Sequence, residues 1–199
     1  MNLPATNSEK ALLLIDVQKG FDEAYWGTRN NPALTENIGR LLTAWREHGL
    51  PVIHVKHMST EPASPLRPNY EGNEFMDVAV PKAGEQVFEK TVNSAFIGTD
   101  LEKHLRNKQI HSLVIAGIST DHCVSTSTRM AGNLGFEVFL VADACATFNR
   151  TAHDGTELTA DAVHIAALAS LHNEFATVLD SNEVLATIGP ALAAAVNRA

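Results

Sequence analysis

The chain has 199 residues, of which 45% are hydrophobic and 19% charged, and its 15 basic and 23 acidic residues give a formal net charge of −8. These values exclude a disordered chain and fit a single folded domain, residues 1–199, that buries a substantial core. They also argue against nucleic acid and anionic membrane surfaces as partners, because the sequence contains no basic run.

The N-terminal segment, residues 1–10, is polar and lacks the apolar stretch of a signal peptide. No apolar run approaches the ~18 residues that are needed to cross a bilayer. We therefore expect a cytoplasmic location, where the two cysteines, Cys123 and Cys145, would be free thiols.

The first half of the chain alternates apolar runs with helical patterns. Residues 11–17 predict a strand that is buried on both faces, and residues 35–48 predict a helix that ends at Gly49. Residues 51–57 predict the next strand. Residues 59–81 contain four prolines and predict a long irregular excursion of the kind that often carries function.

The alternation continues in the second half. The predicted strands are residues 86–89, 112–117, 136–142 and 175–179, and the predicted helices are residues 100–107, 123–134, 159–172 and 181–197. Gly135 is the predicted stop of the third of the chain's five helices, and Ser181 is the predicted N-cap of the last. Residues 147–158 predict a second irregular excursion.

Strands that alternate with helices indicate an α/β domain. We expect a three-layer, doubly wound fold with a mainly parallel sheet of about six strands flanked by helices. In such sheets the functional site lies outside the carboxyl ends of the strands.

Three reactive side chains fall at predicted carboxyl ends. Asp16 closes the first strand, Lys90 follows the short strand 86–89, and Cys123 comes just after the strand 112–117. We therefore expect a carboxylate, an amine and a thiol to meet at one edge of the sheet.

Together these groups suit nucleophilic catalysis. A thiol becomes a good nucleophile when a helix N-terminus or a nearby cation favours the thiolate, or when a base takes its proton. Cys123 begins a predicted helix, Lys90 would supply the cation, and Asp16 would accept the proton. Backbone amides near Cys123 would hold an oxyanion, and Gly117 would give the turn its freedom.

Each residue also has a purely structural interpretation. A free cysteine is often a small buried hydrophobe, so packing alone would account for Cys123. A strand-ending aspartate such as Asp16 can simply cap a loop, and a single lysine such as Lys90 is more often a surface charge. Their combination favours catalysis, whereas Cys145 has no nearby cation in sequence and is expected to be structural.

Three segments carry a family resemblance: LLLIDVQKGF (residues 12–21), FEKTVNSAF (residues 88–96) and VIAGISTDHCVSTSTR (residues 114–129). The chain resembles the isochorismatase-like cysteine hydrolases, which include nicotinamidases, N-carbamoylsarcosine amidases and isochorismatases. The resemblance implies a catalytic triad of Asp16, Lys90 and Cys123 and a thioester intermediate. It also implies a cis peptide bond before Ser119, with the backbone amides of Ser119 and Cys123 forming an oxyanion hole.

Departures from the family patterns bear on the substrate. Isochorismatases that cleave vinyl ethers lack the thiol nucleophile, so the cysteine favours hydrolysis of an amide or imide. Nicotinamidases bind a metal through an Asp-x-His pair, which is absent after the second strand here. His54 and His57 are three residues apart, and on a strand they would point to opposite faces. We therefore expect no metal and no cofactor.

Further residues are candidates for binding a small, mostly planar substrate. Phe21, Trp26 and Phe96 could form aromatic walls, although packing within loops would explain them equally well. His57 could touch the substrate or order the loop that follows it, and Gln18 could form hydrogen bonds near the reactive groups.

Two residues close to Cys123 are given other roles. Asp121 is expected to cap the following helix or to pair with an arginine. His122 is not expected to be the general base, because adjacent residues at the start of a helix diverge.

The leading hypothesis is a metal-independent cysteine hydrolase that cleaves a C–N bond in a small amide, carbamoyl or imide compound. One alternative is vinyl-ether hydrolysis of the isochorismatase type with Asp16 as the acid. Another is a binding protein that kept the fold but lost activity. A redox role lacks a Cys-x-x-Cys motif. The resemblance also implies a homo-oligomer, either a dimer or a tetramer.

Overall fold

The computed structural model describes residues 10–188 of the chain. The strands of the main sheet are β1 Lys10–Ile15, β2 Val52–His57, β3 Gln86–Lys90, β4 Ser112–Ile118, β5 Glu137–Ala146 and β8 Thr177–Leu179. The helices are α1 Leu34–Glu47, α2 Leu101–Asn107, α3 Ser125–Asn133, α4 Ala160–Leu171 and α5 Ser181–Leu185. A short antiparallel ribbon is formed by β6 Arg150–Thr151 and β7 Glu157–Leu158.

The main sheet has six strands in the order β3-β2-β1-β4-β5-β8, and every neighbouring pair is parallel. The predicted parallel α/β fold is therefore confirmed. The chain builds the sheet outward from β1 to β3 and then returns to place β4 on the other side of β1. This reversal lies between β1 and β4, where doubly wound folds open a crevice at the carboxyl ends of the strands.

Alternating side chains of the buried strands produce two cores. Leu12 and Leu14 of β1 face the core beneath α1 and α5, whereas Leu13 and Ile15 face the core beneath α2, α3 and α4. All six residues of β1 and all seven of β4 are buried, as expected for central strands that are covered on both faces. Because β1 and β4 are the buried central strands and pair with each other, their carboxyl ends lie side by side.

Several boundaries differ from the predictions. β1 ends at Ile15 rather than at residue 17, because Asp16 has a φ of 52° that no strand accommodates. β5 runs beyond the predicted residue 142 to Ala146, past a register shift against β4. The excursion at residues 147–158, predicted to be irregular, contains the ribbon of β6 and β7.

Two helix starts were also predicted wrongly. Cys123 lies within a single π-helical turn, Thr120–Val124, and α3 begins only at Ser125. Ser181 is the first residue of α5 rather than its N-cap, and its backbone and hydroxyl both donate to the Asp143 carboxylate. The last part of the helix predicted at residues 181–197 lies outside the described residues.

The surface of α4 is unusually apolar. All but three of its 12 residues are apolar, yet only Ala160 and Leu171 are buried, and Ile165 is 66% exposed.

Within residues 10–188, no helix has both the length and the apolar character that crossing a membrane requires.

Candidate active site

The reactive residues converge at the carboxyl edge of the sheet. Asp16 directly follows β1, Lys90 is the last residue of β3, and Cys123 lies in the turn after β4. Lys90 Nζ is 2.6 Å from Asp16 Oδ2 and 3.3 Å from Cys123 Sγ. The Asp16 and Lys90 side chains are completely buried, and Cys123 is 7% exposed.

Asp16 is held in an unusual backbone conformation. Its φ of 52° is left-handed, a region that aspartate tolerates better than most residues. Its backbone N–H donates to the carbonyl of Val55 on β2 at 2.9 Å. Its Oδ1 atom is buried and has no hydrogen-bond partner among the described residues. This oxygen is therefore available to accept a proton.

Gly117 allows the end of β4 to approach the end of β1. A Cβ atom at residue 117 would lie 2.0 Å from the Ile15 carbonyl oxygen, and the φ of Gly117 is +139°. The peptide bond between Ile118 and Ser119 is cis, which is the bond that the family resemblance implies. The π-helical turn follows at once and brings Cys123 over the strand end.

The Lys90 ammonium contacts three side chains among residues 10–188. Besides Asp16 and Cys123, its Nζ lies 3.0 Å from Nδ1 of His57, which is its Cα partner at the end of β2. A carboxylate oxygen of Asp16, a ring nitrogen of His57 and Sγ of Cys123 lie within 4.8 Å of one another and are chemically able to bind a metal ion. The Lys90 ammonium contacts each of these side chains and so supplies their positive charge.

Burial controls the protonation of this cluster. It raises the pKa of the Asp16 carboxyl despite the opposing effect of the Lys90 charge. Burial also raises the pKa of the Cys123 thiol well above its ordinary value, and the charge of Asp16 raises it further, while Lys90 lowers it. This direction is opposite to the one that we expected from the predicted position of Cys123 at a helix start.

A transfer of the Cys123 proton to Asp16 would offset this cost. When the thiol proton moves to Asp16, the carboxylate charge that raises the thiol pKa disappears, whereas the Lys90 charge that stabilises a thiolate remains. The total charge of Asp16, Lys90 and Cys123 does not change in this step. The site can therefore form a thiolate without placing an additional charge in the protein interior.

The buried side-chain amides of Gln18 and Asn73 form hydrogen bonds to the backbone at the end of β2. Gln18 Oε1 accepts from the His57 N–H at 2.8 Å, and Gln18 Nε2 donates to the His57 carbonyl at 3.1 Å and to the Asn73 carbonyl at 2.8 Å. Asn73 Nδ2 also donates to the His57 carbonyl at 2.8 Å. Gln18 therefore holds His57 in place and uses both of its amide protons on backbone carbonyls, and its predicted role in substrate binding stays a prediction.

The aromatic residues predicted to line the substrate site, Phe21, Trp26 and Phe96, pack against two different cores. Phe21 is buried and stacks against Trp26 and Phe148, with ring centroids 5.0 and 5.9 Å away, in the core beneath α1. Phe96 stacks on Phe136 at 6.0 Å and packs against the opposite core, to which Cys123 belongs. Of the three, only Phe96 packs on the side of Cys123, and their roles in substrate binding stay predictions.

The loop after β3 contributes groups that the sequence did not single out. Asn93 Oδ1 lies 3.7 Å from Cys123 Sγ. Ser127 of α3 fixes this loop, because its Oγ accepts from the Ala95 N–H at 3.0 Å and donates to the Asn93 carbonyl at 3.4 Å. Asn93 lies only three residues after Lys90, a spacing that gives no signal of its own in a single sequence.

Asp121 stabilises the turn that carries Cys123. It accepts from Arg150 Nε at 2.8 Å and from the Thr147 hydroxyl, which confirms the predicted pairing with an arginine. The His122 side chain is 55% exposed and faces Asp121. Cys145 is a free, completely buried thiol whose pKa burial raises to about 12, in agreement with a structural role.

A separate cavity of about 730 Å³ lies at the opposite edge of the sheet, where β2 and β3 begin. Arg46, Glu85 and His104 are among its lining residues, and none of the predicted site residues lines it. The reactive cluster and this cavity are therefore distinct places in the molecule.

Comparison with known proteins identifies the family. The family model of the isochorismatase domain matches residues 10–183. The chain belongs to the isochorismatase family. It is 45% identical to the isochorismatase-family protein YrdC of Bacillus subtilis over 177 residues, which cover 89% of this chain and 95% of YrdC.

Two further isochorismatase-family comparisons support this assignment. A crystal structure of a family member from Chromobacterium violaceum matches with a TM-score of 0.90 and 44% identity, covering 95% of this chain and 98% of that one. Nicotinamidase 3 of Arabidopsis thaliana is 28% identical over 159 residues, covering 73% of this chain and 77% of the enzyme. The chain is an isochorismatase-family hydrolase.

Proposed function

We propose that this hydrolase is metal-independent and cleaves the C–N bond of a small amide, carbamoyl or imide compound through a thioester on Cys123. The observation that carries the proposal is the position of Lys90 Nζ, 2.6 Å from a carboxylate oxygen of Asp16 and 3.3 Å from Sγ of Cys123. A proton acceptor, a fixed positive charge and a nucleophile thus occupy one buried cluster.

The first half of the reaction forms the thioester. Asp16 takes the thiol proton, and the thiolate of Cys123 attacks the substrate carbonyl carbon. The backbone amides of Ser119 and Cys123 hold the oxyanion of the tetrahedral intermediate. Asp16 then gives its proton to the nitrogen, the C–N bond breaks, and the amine leaves.

The second half restores the enzyme. Water attacks the thioester carbonyl while Asp16 accepts a proton from it. The C–S bond then breaks, the acid product leaves, and the proton on Asp16 returns to the sulfur of Cys123. Lys90 remains charged throughout, so its role is to stabilise whichever neighbour carries the negative charge.

Two observations support the substrate class and the independence from metal. A cysteine nucleophile is suited to amide and imide carbonyls, and a nicotinamidase is among the relatives of the chain. The three side chains that could bind a metal ion, Asp16, His57 and Cys123, are each contacted by the Lys90 ammonium. A metal ion bound among them would have to displace that ammonium.

The test is a screen of small amides, carbamoyl compounds and imides with release of ammonia or amine as the readout. Cys123→Ala should abolish turnover, whereas Cys145→Ala is the matched control and should keep it, since the hydrogen bonds that the Lys90 ammonium makes within residues 10–188 are to Asp16, His57 and Cys123. Mass spectrometry of the quenched enzyme should show an acyl adduct on Cys123. Full turnover by Cys123→Ala overturns the proposal. Hydrolysis of an added vinyl-ether substrate by Cys123→Ser, without an adduct, would instead point to vinyl-ether hydrolysis by Asp16.

A further inference from the structure

His57 occupies a position in the cluster that proton transfer and nucleophilic attack leave unused. It closes β2 directly beside Lys90 on β3, and its Nδ1 lies 3.0 Å from the Lys90 ammonium. An ammonium has hydrogens to donate and no lone pair. Nδ1 of His57 must therefore be the acceptor in this contact.

This contact fixes where the ring carries its proton. Burial and the Lys90 charge lower the pKa of His57 to about 4, so the imidazole is neutral at pH 7. A neutral imidazole carries one N–H, and with Nδ1 accepting, that hydrogen resides on Nε2. Within residues 10–188, Nε2 has no hydrogen-bond partner, and the residue is partly exposed. His57 thus offers an unused donor beside the nucleophile.

The backbone supports a fixed direction for this donor. The N–H and carbonyl of His57 make three hydrogen bonds with the Gln18 and Asn73 side chains, both of which are buried. The Lys90 contact then restricts the ring itself. Little conformational entropy remains to be lost when a ligand accepts from Nε2, which is the condition for a selective contact.

We propose that Nε2–H of His57 is a substrate-binding donor that selects compounds carrying a second neutral acceptor, such as a second carbonyl oxygen, besides the carbonyl that Cys123 attacks. The proposal rests on the proposed function and narrows its substrate class to dicarbonyl compounds such as cyclic imides. The acceptor should be uncharged, because Asp16 and Lys90 already balance each other and the His57 ring adds no charge.

The experiment measures binding rather than turnover, so that its result is independent of the thiol chemistry. Dissociation constants are measured by calorimetry in the Cys123→Ala background. The probes are two matched pairs, succinimide with 2-pyrrolidinone and hydantoin with 2-imidazolidinone. Within each pair the second compound lacks one carbonyl. We expect the dicarbonyl compound to bind about five- to tenfold more tightly, the effect of one added hydrogen bond to a neutral donor.

Two substitutions of His57 distinguish the role of its Nδ1 acceptor from that of its Nε2 donor. His57→Asn keeps an acceptor near the Nδ1 position for Lys90 but loses the Nε2 donor, so the preference should disappear. His57→Gln places an amide donor near the Nε2 position and should retain the preference. Equal or undetectable binding of both members of each pair to the parent protein overturns the proposal. It also fails if His57→Asn retains the preference, because the Nε2 donor would then not be needed. It fails equally if His57→Gln loses the preference although an amide donor stands near the Nε2 position.

Failure of this test is distinguishable from failure of the proposed function. If Cys123→Ala retains turnover, the thioester mechanism is wrong whatever the binding data show. If turnover requires Cys123 but the preference does not depend on His57, the mechanism stands and only the role of the imidazole is refuted.

Discussion

Replacing Lys90 by methionine tests the electrostatics of the cluster most directly. Methionine keeps a straight, uncharged side chain of similar length but removes the only positive charge that the described structure places beside Asp16. Asp16 is completely buried, so its carboxylate would lose its counter-charge without gaining water. Breaking a buried ion pair by removing one partner costs about 3–5 kcal/mol, because the remaining charge is uncompensated.

The cost should depend on pH in a defined direction. Burial already raises the pKa of folded Asp16, and loss of the Lys90 charge, which lowers that pKa, would raise it further. Folded Lys90→Met then binds more protons than its unfolded chain, whose Asp16 titrates near pH 4. Its stability should therefore fall by up to about 1.4 kcal/mol per pH unit between the unfolded and folded pKa values, and stay low above the folded one.

Urea unfolding at pH 5 and pH 8 measures this difference. Lys90→Met should lose about 3–5 kcal/mol at pH 8 and clearly less at pH 5, where the folded protein can neutralise Asp16. Lys19→Met is the matched control, because Lys19 pairs with Glu74 at 3.1 Å with side chains 36% and 64% exposed. It should lose clearly less stability than Lys90→Met at either pH, because the pair is exposed to solvent.

The reasoning would be refuted by equal losses at pH 5 and pH 8, or by a loss as small as that of Lys19→Met. The double variant Asp16→Asn with Lys90→Met removes both charges and provides a further check. It should recover part of the stability at pH 8 and lose the pH dependence, since no buried charge is left unpaired.

Three further predictions concern the nucleophile, the strand approach and the surface. Asp16→Asn should lower the pKa of the Cys123 thiol, because the Asp16 charge helps to raise it. Alkylation of Cys123 by iodoacetamide, followed against pH by mass spectrometry, should then begin at lower pH. Turnover should fall at least about 100-fold, because the proton acceptor is lost. An unshifted alkylation profile would contradict this. Gly117→Ala should cost more than about 3 kcal/mol in urea unfolding, because its Cβ would lie 2.0 Å from a β1 carbonyl oxygen. Gly135→Ala, with a φ of +82° and nothing within 4 Å of its Cβ, should cost only about 1 kcal/mol, and equal losses would argue against the steric explanation. We expect a homo-oligomer that buries the exposed face of α4. A charge at the centre of that interface should weaken it, so Ile165→Glu should lower the molecular mass measured by light scattering. A monomeric parent protein would refute this expectation.

Much of the architecture could be predicted because the central strands are nearly continuous apolar runs. β1 and β4 are buried on both faces, and such runs stand out in a sequence without any comparison. The rule that sites lie at carboxyl strand ends then sufficed to bring Asp16, Lys90 and Cys123 together. The structure places all three in one cluster.

The remaining features depend on contacts that leave no periodic pattern. The Gln18 amide reaches the Asn73 carbonyl across 55 positions in the chain, and neither residue stands out by hydropathy or spacing. The π-helical turn at Thr120–Val124 cannot be told from the first turn of an ordinary helix by its residues. The direction of the Cys123 pKa depends on burial, which a position near a helix start does not reveal.

The chain order of the sheet has a consequence for biosynthesis. Asp16 and Lys90 both belong to the β3-β2-β1 half of the sheet, which precedes β4 in sequence. Because translation runs from the N-terminus, Asp16 and Lys90 leave the ribosome before Cys123 does, but a single domain folds as a unit. The carboxylate and the ammonium become buried only when β4 covers the open edge of β1. The two charges and the thiol therefore lose contact with water in the same folding step.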